Sequence, residues 1–153
     1  MQILGIRVSP STIRYAIVDW DGINFTFLNR TTENKIDFPV NLGSRGSKLS
    51  WLFQELERIV SNYPNIDIIG VKEGEYIGSE TLSKRERASL EGIIQYWAYE
   101  RNIPATMKIY AGIKDVKSRE ALIFCETNIG KTETYWNKDM SDALLAAWAI
   151  KEQ

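Results

Sequence analysis

Near its start the chain carries an apolar run, Ile3-Leu4-Gly5-Ile6-Arg7-Val8, that holds a guanidinium near its end. Such a run reads as the first and central strand of a mixed sheet, and the rest of the chain has to be arranged around it. After the turn-rich linker Ser9-Pro10-Ser11-Thr12, the stretch Arg14-Tyr15-Ala16-Ile17-Val18-Asp19 reads as a second strand closed by the hairpin dipeptide Asp21-Gly22. Ile23-Asn24-Phe25-Thr26-Phe27-Leu28 alternates apolar with polar residues, which predicts a third strand antiparallel to the second. The chain thus opens as a three-strand meander.

A polar segment runs through Gly46, and beyond it Leu49, Leu52, Phe53, Leu56, Ile59, Val60 and Tyr63 recur on one helical face. Trp51 falls off that stripe and reads as a partly covered surface aromatic. Past Pro64-Asn65, the β-branched run Ile66-Asp67-Ile68-Ile69-Gly70-Val71 is that of a strand buried on both faces, ending in Lys72-Glu73. A loop with Gly74, Gly78 and Ser79 leads into a second helix whose inward stripe is Leu90, Ile93, Ile94, Trp97, Ala98 and Arg101, so Tyr96 and Tyr99 point elsewhere. Pro104 stops that helix, Met107 to Ala111 predicts a fifth strand, and Ser118 to Thr127 a short third helix. Ser141-Asp142 precede a last helix from Ala143 to Ile150, apolar nearly all round and therefore packed against the sheet.

With 153 residues, 44% hydrophobic content and a quarter of the residues charged, one globular domain spanning 1–153 is expected. The formal net charge of -1 supplies no whole-molecule field toward nucleic acid or an anionic membrane, so any nucleic-acid contact needs a local patch. The absence of histidine excludes imidazole ligation and histidine general-base catalysis, leaving carboxylates as the main candidate chemistry. The one cysteine, Cys125, forms no internal disulfide and reads as an inert, half-buried thiol. No apolar run approaches membrane-spanning length and Met1-Gln2-Ile3-Leu4 lacks the pattern of a signal peptide, so a cytoplasmic location is expected.

Three hairpin strands followed by helix, strand, helix, strand and terminal helices require a mixed sheet with right-handed crossovers. This order resembles the ribonuclease H-like fold: an α/β protein with a five-stranded sheet, order 3-2-1-4-5, strand 2 antiparallel, flanked by helices. Within it the residues resemble the RuvC-type Holliday-junction resolvases. Their opening strand, I-L-G-I-D-P-G-S, is similar to Ile3-Leu4-Gly5-Ile6-Arg7-Val8-Ser9-Pro10; their apolar strand ending in Glu is similar to Ile68-Ile69-Gly70-Val71-Lys72-Glu73; and their closing D-x-x-D-A-L motif is matched by Asp139-Met140-Ser141-Asp142-Ala143-Leu144. The resemblance makes Glu73, Asp139 and Asp142 the candidate catalytic carboxylates, with Arg7 in place of the first one. It further implies weak nucleic-acid contacts at Lys117 and Arg119, which resemble the basic start of the family's penultimate helix, and a homodimer through the helix 84–101.

In that family carboxylates hold two divalent cations about 3.5–4 Å apart around the scissile phosphate. Neither Asp19, Asp21 nor Asp67 replaces the missing carboxylate, since all three fall at the opposite edge of the sheet. A unit positive charge about 4 Å from a dication opposes it by roughly 8 kcal/mol at an effective dielectric of about 20, so metal binds poorly beside Arg7. The same guanidinium attracts each nearby carboxylate by about 4 kcal/mol before desolvation, which favours an Arg7–Glu73–Asp142 ion-pair cluster. The broken clamp predicts a non-catalytic binding or scaffolding domain without cofactor. The alternative is a metal-dependent nuclease in which Glu73, Asp139 and Asp142 hold one Mg2+ or Mn2+, with Glu73 and Asp142 as its main ligands. Taken singly, each residue also has a plain role: a surface arginine, a strand-end glutamate, a first-turn helix aspartate. A transfer enzyme is disfavoured because Ser9-Pro10-Ser11-Thr12 has no phosphate-loop glycine.

Overall fold

In the computed structural model, which describes residues 1–114 and 116–152, six strands form one mixed sheet. The central strand β1 (Gln2–Val8) pairs antiparallel with β2 (Thr12–Trp20) on one side and, from residue 66 onward, parallel with the next long strand on the other. β3 (Phe25–Phe27) extends the sheet beyond β2. β4 (Lys35–Asp37) pairs with the first half of β2. β5 (Ile66–Lys72) and β6 (Ala105–Lys108) complete the path β3-β2-β1-β5-β6. The expected path of five strands is present, and β4 is an addition to it. Three residues are too few to show a period, so the polar segment around β4 carries no strand signal.

At three boundaries the structure departs from the expectation because a side chain captures backbone N–H groups. The carboxylate of Asp21 accepts from the N–H of Ile23 and of Asn24, each at 2.8 Å, which takes both residues into the hairpin turn and shortens β3. The strand after Pro104 ends at Lys108, because the Tyr110 N–H bonds Glu75 at 2.9 Å and residues Tyr110–Gly112 wind into a 3-10 turn. The last helix starts earlier than expected, since Asn137 is its cap and accepts from the Met140 N–H at 3.0 Å. Ser141 and Asp142 are therefore inside that helix, and Asp142 is not a first-turn residue.

One face of the sheet is covered by α1 (Arg45–Asn62) and α2 (Leu82–Glu100). Leu52, Leu56 and Ile59 of α1 and Leu90, Ile94, Trp97 and Ala98 of α2 pack on Leu4, Ile6, Val8, Ile13, Tyr15, Ile17, Ile69 and Val71. Arg101 does not join that stripe; it caps the end of α2, exposed, and ion-pairs with Glu57, which also accepts from Trp97 Nε1 at 2.7 Å. Trp51 is half-buried with its ring 5.0 Å from that of Phe38.

The other face is covered by α3 (Ala121–Asn128) and α4 (Lys138–Trp148). There the strands present small residues in register: Ala16 opposite Gly5, and Gly5 opposite Gly70. They form a trough in which α4 lies with its backbone almost on the sheet. A Cβ on Gly5 would collide with the carbonyl oxygen of Ala143, and one on Gly70 with that of Ala146. On either side of the trough Met140, Leu144 and Leu145 are fully buried, each stabilising by about 1.5–3 kcal/mol. Cys125 is fully rather than half buried beneath α4, its Sγ 3.5 Å from the Ser141 carbonyl, and burial pushes its thiol pKa up. Among the described residues no helix is long and apolar enough to cross a membrane.

Seating α4 on glycine predicts a sharp contrast between two substitutions. Gly70→Ala is expected to destabilise the protein by at least about 3 kcal/mol, because the backbone of α4 has to lift. Gly92→Ala, on the exposed side of α2 with nothing within 4 Å, is expected to stabilise it by about 0.5–1 kcal/mol. Urea denaturation of both variants measures the contrast.

Candidate functional site

Side chains in register on neighbouring strands share a face of the sheet, and the row next to the small-residue trough is cationic. Arg7 lies two residues beyond Gly5, Lys72 two beyond Gly70, and Arg14 two before Ala16 on the antiparallel strand. Arg14 pairs in register with Arg7 on one side and with Lys35 of β4 on the other. Arg7 and Lys72 follow the registered pair Ile6 and Val71, with Arg7 Nη1 donating to the Lys72 carbonyl at 3.1 Å. Lys72 pairs with Lys108 of β6. A row of basic side chains therefore crosses the sheet: Lys35, Arg14, Arg7, Lys72, Lys108.

Like charges opposite one another destabilise a sheet, so the row needs carboxylates. The first turns of α4 bring two of them, because the helix crosses the trough just beside the row. Arg7 Nε lies 3.4 Å from Asp142 Oδ2 and 4.0 Å from Asp139 Oδ1, and Arg7 Nη1 lies 4.0 Å from Glu91 Oε1. The Arg7 side chain is only 11% exposed, and its Nε has no aligned hydrogen bond despite this surrounding charge. Lys72 is almost wholly buried; its Nζ ion-pairs with Glu75 at 2.7 Å, donates to the Glu73 carbonyl at 2.8 Å and stands 4.3 Å from the centre of the Tyr110 ring. The Tyr110 hydroxyl donates to Asp142 Oδ1, which closes a circuit from Arg7 through Asp142 and Tyr110 to Lys72 and Glu75. Arg14, 5% exposed, lies over the Tyr135 ring with its Nε and Nη1 lacking hydrogen-bond partners.

Burial sets the protonation behaviour of this cluster. It raises the pKa of Asp142 against the opposing pull of the Tyr110 hydroxyl, Arg7 and Lys72, and raises that of Glu91 against the Gly74 N–H and Arg7. Burial lowers the Lys72 pKa, with Glu75 working the other way. Burial also acts on Glu75, but there the bonds from Lys72 and the Tyr110 N–H outweigh it and hold the carboxyl below its usual range. The Tyr110 phenol is raised by burial and by its bond to Asp142.

Of the residues singled out in the sequence, the structure joins Asp142 and Asp139 to Arg7. Glu73 stands apart: it follows the end of β5, and its carboxylate accepts from the Tyr76 hydroxyl at 2.9 Å. Lys117 and Arg119 are exposed beside this end of the sheet, flanking Ser118, whose hydroxyl accepts from Lys138 at 2.6 Å; Arg119 pairs with its neighbour Glu120. Asp19, paired with the terminal amine, and Asp67, which accepts from the Gln2 N–H at 2.7 Å, lie at the opposite edge. Sequence reasoning misses Lys72, Glu75, Glu91, Arg14 and Tyr110. For Lys72 a signal exists: Gly70 and Lys72 repeat the spacing of Gly5 and Arg7.

The strand order, the crossover helices and the terminal helix against the central strand make up a ribonuclease H-like fold, as in the solved structures of RuvC and other Holliday-junction resolvases. RuvC from Thermus thermophilus in complex with Holliday junction substrate is similar over 97% of this chain and 92% of its own, with a TM-score of 0.78 and 13% identity. The Fowlpox virus resolvase, in complex with its Holliday junction DNA substrate, is similar over 99% and 97%, with a TM-score of 0.62 and 10% identity. The yeast mitochondrial Holliday junction resolvase is similar over 97% and 77%, with a TM-score of 0.59 and 19% identity. No family profile matches the sequence, and no curated protein matches it.

The raised pKa values of Asp142 and Glu91 give the cluster a definite pH signature. Each contributes stability that is full below the ordinary carboxylate pKa and is lost as pH rises through the raised folded value. Removing the opposing charge by Arg7→Ala is expected to cost about 3–5 kcal/mol at neutral pH, and the cost is expected to shrink as the pH falls and both carboxyls take up protons. Urea denaturation of both proteins between acid and neutral pH checks the difference.

Proposed function

We propose that this protein is a non-catalytic RuvC-like domain, a binding or scaffolding module that takes nucleic acid without a metal clamp. The observation that carries the reading is the pair of cations, Arg7 and Lys72, at the ends of adjacent parallel strands and in the electrostatic field of Asp142. A pair of divalent cations does not suit this donor set. Asp142 already has Arg7 against one oxygen and Tyr110 against the other, and among the described residues no cluster of three or more Asp, Glu or Cys side chains is arranged to hold a metal. The approach of a dication to Asp142 would set it against two fixed positive charges, each opposing it by several kcal/mol. The one-metal nuclease reading needs Glu73 to join Asp139 and Asp142, whereas the Glu73 carboxylate is engaged by Tyr76. Two of the structural neighbours were captured on Holliday junction DNA, which supports branched DNA as the first nucleic acid to test.

The wild-type protein is expected to bind neither Mg2+ nor Mn2+ at the Asp142 end at millimolar concentration, and to cleave neither branched DNA, single-stranded DNA nor an RNA–DNA hybrid. Calorimetry and metal-replete cleavage assays read both. Arg7→Asp, alone or with Lys72→Glu, is expected to introduce Mn2+ binding. A tight Mn2+ site in the wild type, or cleavage abolished by Glu73→Gln, would overturn the reading.

The proposal includes a homodimer through α2. Tyr96 and Tyr99 are exposed on the side of that helix turned away from the sheet, an aromatic surface suited to an isologous contact. Light scattering is expected to give a dimer for the wild type and a monomer for the Tyr96→Glu, Tyr99→Glu variant, whose carboxylates would be buried without partners. A wild type that stays monomeric at high micromolar concentration rules the dimer out.

A further inference from the structure

Beside the carboxylate cluster, a cavity of about 670 Å³ opens between the loop after β5, the start of α1 and the N-terminal half of α2. Two of the guanidinium groups lining it, those of Arg45 and Arg87, have no ion pair or hydrogen bond among the described residues. The Nε of Arg87 is buried without an acceptor, and burial together with the charge of Arg7 lowers the Arg87 pKa against the pull of Glu91, Asp139 and Asp142. Those carboxylates meet its charge from a distance, and the half-buried side chain is left with a buried donor that no acceptor takes. The other charges on the wall are already engaged. Glu75 is paired with Lys72, Glu80 with Arg85, and Glu91 accepts from the Gly74 N–H while facing Arg7. Lys84 donates to the carbonyls of Ile77 and Ser79, which fastens the rim loop to α2. The first turns of α1 and α2 hold no acidic residue, so the positive end of each helix dipole is unopposed by its own side chains.

We infer that this cavity is a binding site for a phosphate ester, with Arg45 and Arg87 as its two anion-binding forks. Guanidinium forks match phosphate oxygens in pairs, which a single ammonium does not. The volume is within the range of about 300–1,000 Å³ typical of small-molecule sites, so it exceeds the needs of a lone inorganic anion and has room for the group the phosphate is attached to. That group is either a nucleic-acid strand, contributing a phosphodiester, or a free nucleotide, contributing a phosphomonoester. The first case rests on the nucleic-acid reading above; the second does not.

The test uses the full chain and three probes: inorganic phosphate, a 5′-mononucleotide and a four-way DNA junction, each titrated at two or more salt concentrations in the presence of chelator. The Arg87 Nε–Hε signal is followed by NMR. Binding of at least one ester probe is expected to shift that signal. Arg45→Gln with Arg87→Gln is expected to weaken this binding at least tenfold and, for the junction, to lower the salt slope by about 1–2. Lys131→Gln, exposed and outside the cavity, is expected to leave it unchanged. Arg45 is exposed, so Arg45→Gln alone keeps the test available if the double variant fails to fold. A mononucleotide that binds through Arg87 while the junction does not supports the site and removes the nucleic-acid reading. Junction binding that is equal in wild type and variant, with the Arg87 signal unmoved, overturns the site and leaves that reading standing. Failure of both ester probes to bind, or binding of inorganic phosphate alone, overturns the site.

Discussion

The contact on which the arrangement depends is the seating of α4 on Ala16, Gly5 and Gly70. Helix backbones ordinarily stand off a sheet by the depth of a side-chain layer, and here that layer is nearly absent beneath Ala143 and Ala146. Close approach fixes the height and the rotation of α4 together. Asp142 immediately precedes Ala143, so it is fixed as well, directly over the ends of β1 and β5. Positioning comes from backbone against backbone, which has no rotamers to lose.

That precision is spent on a cluster of charges in which each sign depends on the other. The row of cations across the sheet repels itself, and the Asp142 and Glu91 carboxylates that α4 and α2 bring to it are buried, so that their charged forms are favoured by Arg7. Tyr110 joins the two halves, with its hydroxyl on Asp142 and its ring beside Lys72. Such networks rigidify when every member is satisfied. Arg7 and Arg14 are left short of acceptors, Arg7 at its Nε and Arg14 at two buried donors beside the face of Tyr135.

Much of this is legible in the amino-acid sequence. The meander, the crossovers and the central place of β1 follow from hydrophobic period and turn residues, and Arg7, Asp139 and Asp142 come together because short motifs fall at a strand end and on a helix. What escapes depends on partners distant in sequence. Glu91 sits one residue after Leu90 in an ordinary helical pattern, and nothing local says that it faces Arg7 rather than solvent. Lys72 yields to Glu73 when a strand end is read from residue type rather than from alternation, although Gly70 shows which face Lys72 must share. Tyr110 looks like strand because the carboxylate that turns its backbone, Glu75, lies 35 positions away.

The pairing of Arg7 with Asp142 also restricts the routes by which such a chain can change. An acid at position 7 would face Asp142 with no cation between the two carboxylates, and the loss of charge at position 7 alone would leave Asp142 buried beside one cation fewer. Substitutions at these two positions are therefore coupled, and drift through single changes at this end of the sheet is held back by folding itself, whether or not selection acts on what the protein binds.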